Sequence, residues 1–256
     1  MKRLLFIGDV VGKAGCDFLR AKLSGAKRYY NIDVTVVNGE NSAQGNGITR
    51  ASAEMIMNAG ADIITTGNHA FQQRAALEIF DEEYIIRPAN YPEGGAPGRG
   101  MFTLDCGAYS VTLINLMGTV GMDPLDNPFT KIDEILKAVD TPNVFVDFHA
   151  EATSEKKAMG FHLDGRATGV FGTHTHVQTA DECILSGGTA YITDAGMTGP
   201  EVSCLGVDIE PVLSMFRYRV PVRFKEAQSD CFMCGVVVEF DEKSGKSNKI
   251  ERIIIR

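Results

Sequence analysis

The sequence predicts an α/β fold of two mixed β-sheets flanked by helices. Three observations carry that prediction. From residue 4 to about residue 194, short apolar runs alternate with amphipathic segments. Each of five such runs stops at a sharp Gly, Asn or Asp signal. The last 40 residues return to strand-like alternation, which mixes the sheet content and favours two packed sheets over one.

The five runs read as buried strands. They are residues 4–7, 34–37, 63–66, 144–146 and 169–171, each about four β-rich residues long. Helical patterns lie between them. Residues 16–23 place Phe18, Leu19 and Leu23 at helical spacings. Residues 49–58 start at Thr49, a natural N-cap, and stop before Gly60. Residues 70–80, 132–139 and 154–163 complete the helices. Strands that alternate with helices imply βαβ units around a largely parallel sheet. Residues 87–100 carry three Pro and four Gly and read as a loop. Residues 102–104 and 111–114 flank a turn at Gly107 and read as antiparallel strands. Residues 220–222, 235–238 and 250–255 read as the last strands, with a turn at residues 243–246. No repeat, low-complexity tract or linker interrupts the chain, so a single domain over residues 1–256 is expected.

Composition narrows the function. The net charge of −8 disfavours coating a nucleic-acid backbone, which needs Lys and Arg on its phosphates. It leaves room for one small phosphate ester in a locally positive site. Hydrophobic residues at 44% and charged residues at 23% are an ordinary globular balance. No run approaches 18 apolar residues, and the apolar stretch at residues 4–7 is too short for an export signal. A cytoplasmic location with no membrane contact is the expectation, and the six cysteines are then reduced thiols. Cys231 and Cys234 form a CxxC with no second CxxC to complete a four-thiolate site. They read as buried strand cysteines.

The polar residues decide the chemistry. The five runs are followed by Gly8-Asp9, by Asn38-Gly39-Glu40-Asn41, by Gly67-Asn68-His69, by Asp147 to Glu151 with His149 between them, and by Gly172 to His176 with His174 between them. Four of the five histidines fall in these clusters; only His162, on the 154–163 helix, does not. Singly, each cluster is compatible with a cap or a turn. In an open α/β sheet, ligands bind beyond the carboxyl ends of the strands, so five clusters at strand ends converge on one rim. The candidate ligands are Asp9, Glu40, Asn41, Asn68, His149, His174 and His176. Seven are too many for one tetrahedral ion and suit two ions about 3.5–4 Å apart. Imidazoles with carboxylate and amide oxygens fit Mn, Fe or Zn better than Mg or Ca.

The order Asp, Glu-Asn, Gly-Asn-His, His, then Gly-x-His-x-His resembles the calcineurin-like metallophosphoesterases. Three departures from the general pattern are Val11 in place of the first His, Glu40-Asn41 in place of the bridging Asp, and Thr173 inserted between Gly172 and His174. These match one subgroup, the YmdB-like phosphodiesterases, over residues 3–200 at least. The resemblance implies a calcineurin-like sandwich. It implies that Asp9, Glu40, Asn41 and His176 hold one metal and that Glu40 bridges to a second, completed by Asn68, His149 and His174. His69 is then the general acid rather than a ligand. The implied reaction opens 2′,3′-cyclic nucleotides at the 2′ bond to give 3′-nucleotides. Water acidified by two ions, with Fe or Mn preferred and Zn allowed, attacks phosphorus in line. A homo-oligomer is implied as well. Two other readings stay open: a phosphomonoesterase or protein phosphatase with the same metals, and a regulatory metal-binding protein of low turnover. Substrate choice would lie in residues 87–100, with Arg87 and Arg99, and in residues 194–201, whose Asp194 to Gly199 stretch shapes the rim or serves self-association.

Overall fold

The computed structural model describes residues 1–92 and 94–256. In chain order the elements are β1 (Lys2–Ile7), β2 (Asp9–Val10), α1 (Gly12–Tyr30), β3 (Val34–Asn38), α2 (Arg50–Ala59), β4 (Ile63–Thr65) and β5 (Ile85–Ile86). They continue with β6 (Met101–Asp105), β7 (Ser110–Met117), α3 (Pro128–Ile135), β8 (Val144–His149), α4 (Thr153–His162) and β9 (Gly169–Thr173). The chain ends with β10 (Cys183–Ile184), β11 (Ala190–Ile192), β12 (Met197–Pro200), α5 (Ile209–Tyr218), β13 (Cys231–Phe240) and β14 (Ser247–Ile255).

Two mixed sheets form, as expected. The first runs β2-β12-β13-β1-β3-β4-β5, with β14 on the other side of β13. The second runs β10-β11-β9-β8-β7-β6. Within them β1, β3 and β4 are parallel neighbours, and so are β8 and β9. All five strands therefore end at one edge of the sandwich.

Alternation along each strand splits its side chains between two layers. On β1, Leu4 and Phe6 face Phe145, Phe171 and Val236 between the sheets. Leu5 and Ile7 face Leu19, Leu23 and Ile56 of α1 and α2. On β8, Val146 and Phe148 meet Ile132 of α3 and Met159 of α4. Helix, sheet, sheet and helix layers follow from that one period.

The helix α2 is bounded as its sequence predicts. Thr49 and Ser52 cap it reciprocally, and Gly60 ends it at φ 111°. Four expectations are corrected. The helix read at 16–23 extends over all of α1. The helix read at 70–80 begins only at Arg74 and is a 3₁₀ helix to Asp81. The helix read at 132–139 starts at Pro128, where Asn127 caps it, and turns 3₁₀ from Leu136 to Ala138. Residues 220–222 are irregular rather than a strand, because Pro221 has no N–H for a ladder. The helix α5 was not anticipated. Of the expected 87–100 loop, Glu93 lies outside the described residues; the others form turns and one bridge, Ile86 to Arg99. Among the described residues, no helix is long and apolar enough to cross a membrane.

Candidate metal centre at the strand ends

The structure brings all eight predicted site residues to one rim. Asp9 sits in β2, which lies parallel to β12, so the 194–199 stretch does shape the rim. Glu40 and Asn41 follow β3, Asn68 and His69 follow β4, His149 ends β8, and His174 and His176 follow β9.

Glu40 is the hub and is fully buried. Its carboxylate accepts the His69 backbone N–H at 3.1 Å and the Asn41 Nδ2 at 2.9 Å. His69 Nδ1 lies 3.1 Å from Oε1, and His149 Nε2 lies 3.2 Å from it. His149 Nε2 is also 2.8 Å from Asn68 Oδ1 and 3.1 Å from His174 Nδ1. Ligand atoms of Glu40, His149 and His174 all lie within 4.8 Å of one another. Asn41 Nδ2 is 3.2 Å from His176 Nε2, which in turn is 3.7 Å from Asp9 Oδ1. The Asn41 amide thus turns its nitrogen, not its oxygen, to the centre; a half-turn about its last bond would exchange them.

For His149, His174 and His176, the ring nitrogen opposite the inward one is engaged outside. His149 Nδ1 lies 2.9 Å from Thr173 Oγ1, whose hydroxyl donates to Asp147 at 2.6 Å. Asn38 Nδ2 at 2.9 Å and the Thr65 hydroxyl donate to the same carboxylate. His174 Nε2 meets Glu151 at 3.1 Å, and His176 Nδ1 meets the Leu205 carbonyl at 3.2 Å. An outer N–H donated in this way leaves the inner nitrogen a lone pair. His149 and His174 then point two lone pairs at one another with no proton between them, beside an anionic Glu40. Asp9 Oδ1 is buried and accepts no hydrogen bond. Two facing imidazole lone pairs beside Glu40, with an unpartnered Asp9 oxygen nearby, suit cations, and the ligand atom types suit Mn, Fe or Zn.

Without a cation the charges rearrange. Burial resists charge on His149, but Glu40 and Asp9 beside it carry its pKa up to about 9. Burial and that same His149 push His174 down to about 3. Burial lifts the Asp9 carboxyl above its ordinary range against the pull of His176 and His149. For Glu40 burial also pushes up, but His149 and His69 outweigh it and hold the carboxyl well below its ordinary range.

The backbone is bent to fit. His174 and His176 have φ of 96° and 64°, a left-handed strain concentrated on two site residues. A buried ion pair holds this loop. Lys156 Nζ lies 2.7 Å from Asp194 Oδ2, which also accepts the Thr175 N–H at 3.1 Å and its hydroxyl at 2.7 Å. Gly67 must be glycine, because a Cβ there would sit 2.3 Å from Glu40 Oε2 and 2.4 Å from His149 Nε2.

Several working residues were not read from the sequence. Asp147, Thr173, Glu151, Lys156 and Asp194 all brace ligand candidates; the first three stand in the strand-end clusters and Asp194 opens the 194–199 stretch, but their bracing contacts were not read from the sequence. Arg87 and Arg99 bond to none of the eight site residues. Arg87 donates to the Pro88 carbonyl at 2.8 Å and Arg99 pairs with Glu83 at 2.8 Å. His162 meets Asp133 at 3.0 Å, far from the rim in the fold, as its isolation in sequence suggested. Cys234 is buried on β13 while Cys231 is half-buried, so only one of the two is a fully buried strand cysteine. All six cysteines are free thiols.

Comparison with known proteins agrees with this geometry. A family model described as YmdB-like protein matches residues 5–253. A Bacillus subtilis protein named 2′,3′-cyclic-nucleotide 2′-phosphodiesterase is 46% identical, over 99% of this chain and 97% of its own. The crystal structure of a Mycoplasma pneumoniae protein described as a novel phosphatase superposes with a TM-score of 0.94 at 35% identity, covering 99% of this chain and 93% of that one. The calcineurin-like phosphoesterase YfkN from Bacillus subtilis shares the fold, with a TM-score of 0.59 at 11% identity over 99% of this chain and 90% of that one. The architecture is therefore that of the calcineurin-like phosphoesterases.

Proposed function

The chain belongs to the YmdB-like family, and from that premise we propose that it is a dinuclear-metal phosphodiesterase that converts 2′,3′-cyclic nucleotides to 3′-nucleotides. In this reading residues 1–256 act as one domain. Asp9, Glu40, Asn41 and His176 would hold one ion and Asn68, His149 and His174 the other, with Glu40 shared between the two groups. One observation carries it: His149 Nε2 and His174 Nδ1 face each other at 3.1 Å over Glu40, each with its other nitrogen already bonded. Fe or Mn is the preferred pair and Zn also fits.

When bound, the two ions supply an acidified water and positive charge against the phosphate oxygens. The chain supplies the rest. Glu40, common to both ligand groups, would set the spacing of the two positions. Asp147, through Thr173, keeps the His149 proton on Nδ1. His69 stands beside the cluster with Nδ1 on Glu40 and its ring a quarter exposed. Its Nε2 takes no partner among the described residues, so a proton carried there can pass to the departing 2′-oxygen. General acid catalysis of this kind contributes about 10²–10⁴-fold.

The test is metal analysis joined to a substrate panel, on protein purified without chelator. About two ions per chain, with 2′,3′-cyclic AMP cleaved to 3′-AMP in preference to 3′,5′-cyclic AMP and p-nitrophenyl phosphate, is the expected outcome. Two ions with monoester cleavage alone would move the function to a phosphatase, the reading that the name of the Mycoplasma structure favours. Less than one ion and no activity after Mn or Fe is restored would remove the metal site itself.

A further inference from the structure

We propose that α5 is the docking face for a second copy of this chain, packed antiparallel to its own α5 across a twofold axis. Between β12 and β13 the chain leaves the sandwich and returns. Its base is tied down: Ala227 N–H donates to the Gly206 carbonyl at 3.0 Å, and Glu226 accepts the Ala14 N–H at 2.8 Å. The excursion itself is not. No residue of α5 is buried, and none joins the three apolar clusters of the core. Yet Leu213 is 53% exposed, Phe216 60% and Val220 58%, with Ile209 and Leu205 exposed beside them. Ile209, Leu213 and Phe216 recur at i, i+4 and i+7, so they form one stripe. A contiguous exposed apolar stripe marks an interaction surface.

The charges around the stripe identify its occupant. Asp208 and Glu210 stand at the head of α5, and Arg217 and Arg219 at its tail. None of the four has an ion pair within the chain among the described residues. At 3.6 residues per turn, Glu210 and Arg217 fall on one flank of the stripe. Asp208 and Arg219 fall on the other flank. Both acid–base couples are centred on the same point, between Leu213 and Ser214. A twofold axis through that point keeps each flank on its own side and reverses the helix. It therefore brings Glu210 opposite the Arg217 of the second copy, and Asp208 opposite its Arg219, while Leu213 and Phe216 meet at the centre. That is the self-complementarity an isologous interface requires. An anionic lipid surface fits less well, because the head of the helix is acidic and the chain carries −8.

The excursion also reaches the metal centre. The Leu205 carbonyl that faces His176 Nδ1 belongs to it, so docking on α5 would steady that ring.

The experiment is sedimentation equilibrium of the full chain, with Phe216→Glu, Arg217→Glu and the double variant Glu210→Arg/Arg217→Glu. The wild type is expected at twice 27.8 kDa or an even multiple of it. Phe216→Glu should halve the mass with its circular dichroism unchanged, since that side chain touches no core. Arg217→Glu sets like charges against each other and should weaken association roughly tenfold or more. The double variant exchanges the charges on both copies at once and should restore it. A wild type that stays monomeric at tens of micromolar, whether or not it binds phosphatidylglycerol vesicles, overturns the proposal. So does an assembly that Phe216→Glu leaves intact, or a double variant no better than Arg217→Glu alone.

Discussion

The strand-end rim and the α5 excursion are opposite solutions to one problem. At the rim, polar groups are buried and crowded: Asp9, Glu40 and His149 are wholly shielded from solvent. On α5, apolar groups are exposed and unshared. Each region holds groups the chain alone does not satisfy. Buried acceptors without donors are expensive unless a cation answers them. An exposed apolar stripe is expensive unless another surface covers it. The difference between them is scaffolding. The rim is braced from behind by Asp147, Thr173, Lys156 and Asp194, whereas α5 is held only at its ends.

The largest effect should come from the hub. Glu40→Gln keeps the shape but removes the charge proposed to answer both ion positions. It is expected to reduce bound metal to well under one ion per chain and to abolish turnover, with the fold retained. Inductively coupled plasma analysis beside circular dichroism reads both; two ions retained would end the bridging role. His69→Ala should separate from it, keeping its metal while kcat falls about 10²–10⁴-fold. If its metal content fell in step with its activity, His69 would be a ligand instead.

A smaller effect should expose the bracing. Thr173→Val removes the hydroxyl between Asp147 and His149 while nearly conserving volume. Outer partners of metal-binding histidines typically contribute about 10–100-fold in metal affinity. The expected result is a loss of that size in a competitive chelator titration, recovered in Thr173→Ser. Unchanged affinity would mean that packing alone orients His149.

The rim was legible in the sequence because punctuation and scarcity coincide there. Four of five histidines follow apolar runs that end abruptly, and strand ends are where α/β sheets bind ligands. What escaped depends on directions that no spacing encodes. Which nitrogen of His149 faces Thr173, and which face of Asn41 meets Glu40, are set by ring and amide orientation. Glu151 stood in the fourth strand-end cluster without an assigned role, yet it lies on His174 Nε2. Two packed mixed sheets followed from alternation, and the calcineurin-like sandwich from the resemblance carried by the strand-end motifs. The α5 stripe had a signal in the spacing of Ile209, Leu213 and Phe216. It was hidden because Val220 and Val222 around Pro221 imitate a strand, and because the helix answers to no core within the chain.

The smallest effect is the pH dependence of the metal-free protein, and it probes the rim side of the contrast directly. In the folded chain His149 holds its proton up to about 9, against an ordinary histidine value of 6.5. A raised folded-state pKa stabilises fully below about 6.5, and that stabilisation is lost as pH climbs through 9. A cation on His149 Nε2 replaces the proton, so the loaded protein has no such term, and metal affinity should itself rise over the same window as proton competition fades. The buried thiols of Cys16 and Cys234, pushed up to about 12 and 11, act above this window and equally in both forms. The difference in melting temperature between loaded and metal-free protein should therefore widen from pH 6.5 to 9, by a few degrees for a chain of this size. Differential scanning calorimetry across that range decides it. A constant gap would mean that His149 is neutral even without metal, and that the rim tolerates its facing lone pairs by a route other than the Glu40 pair.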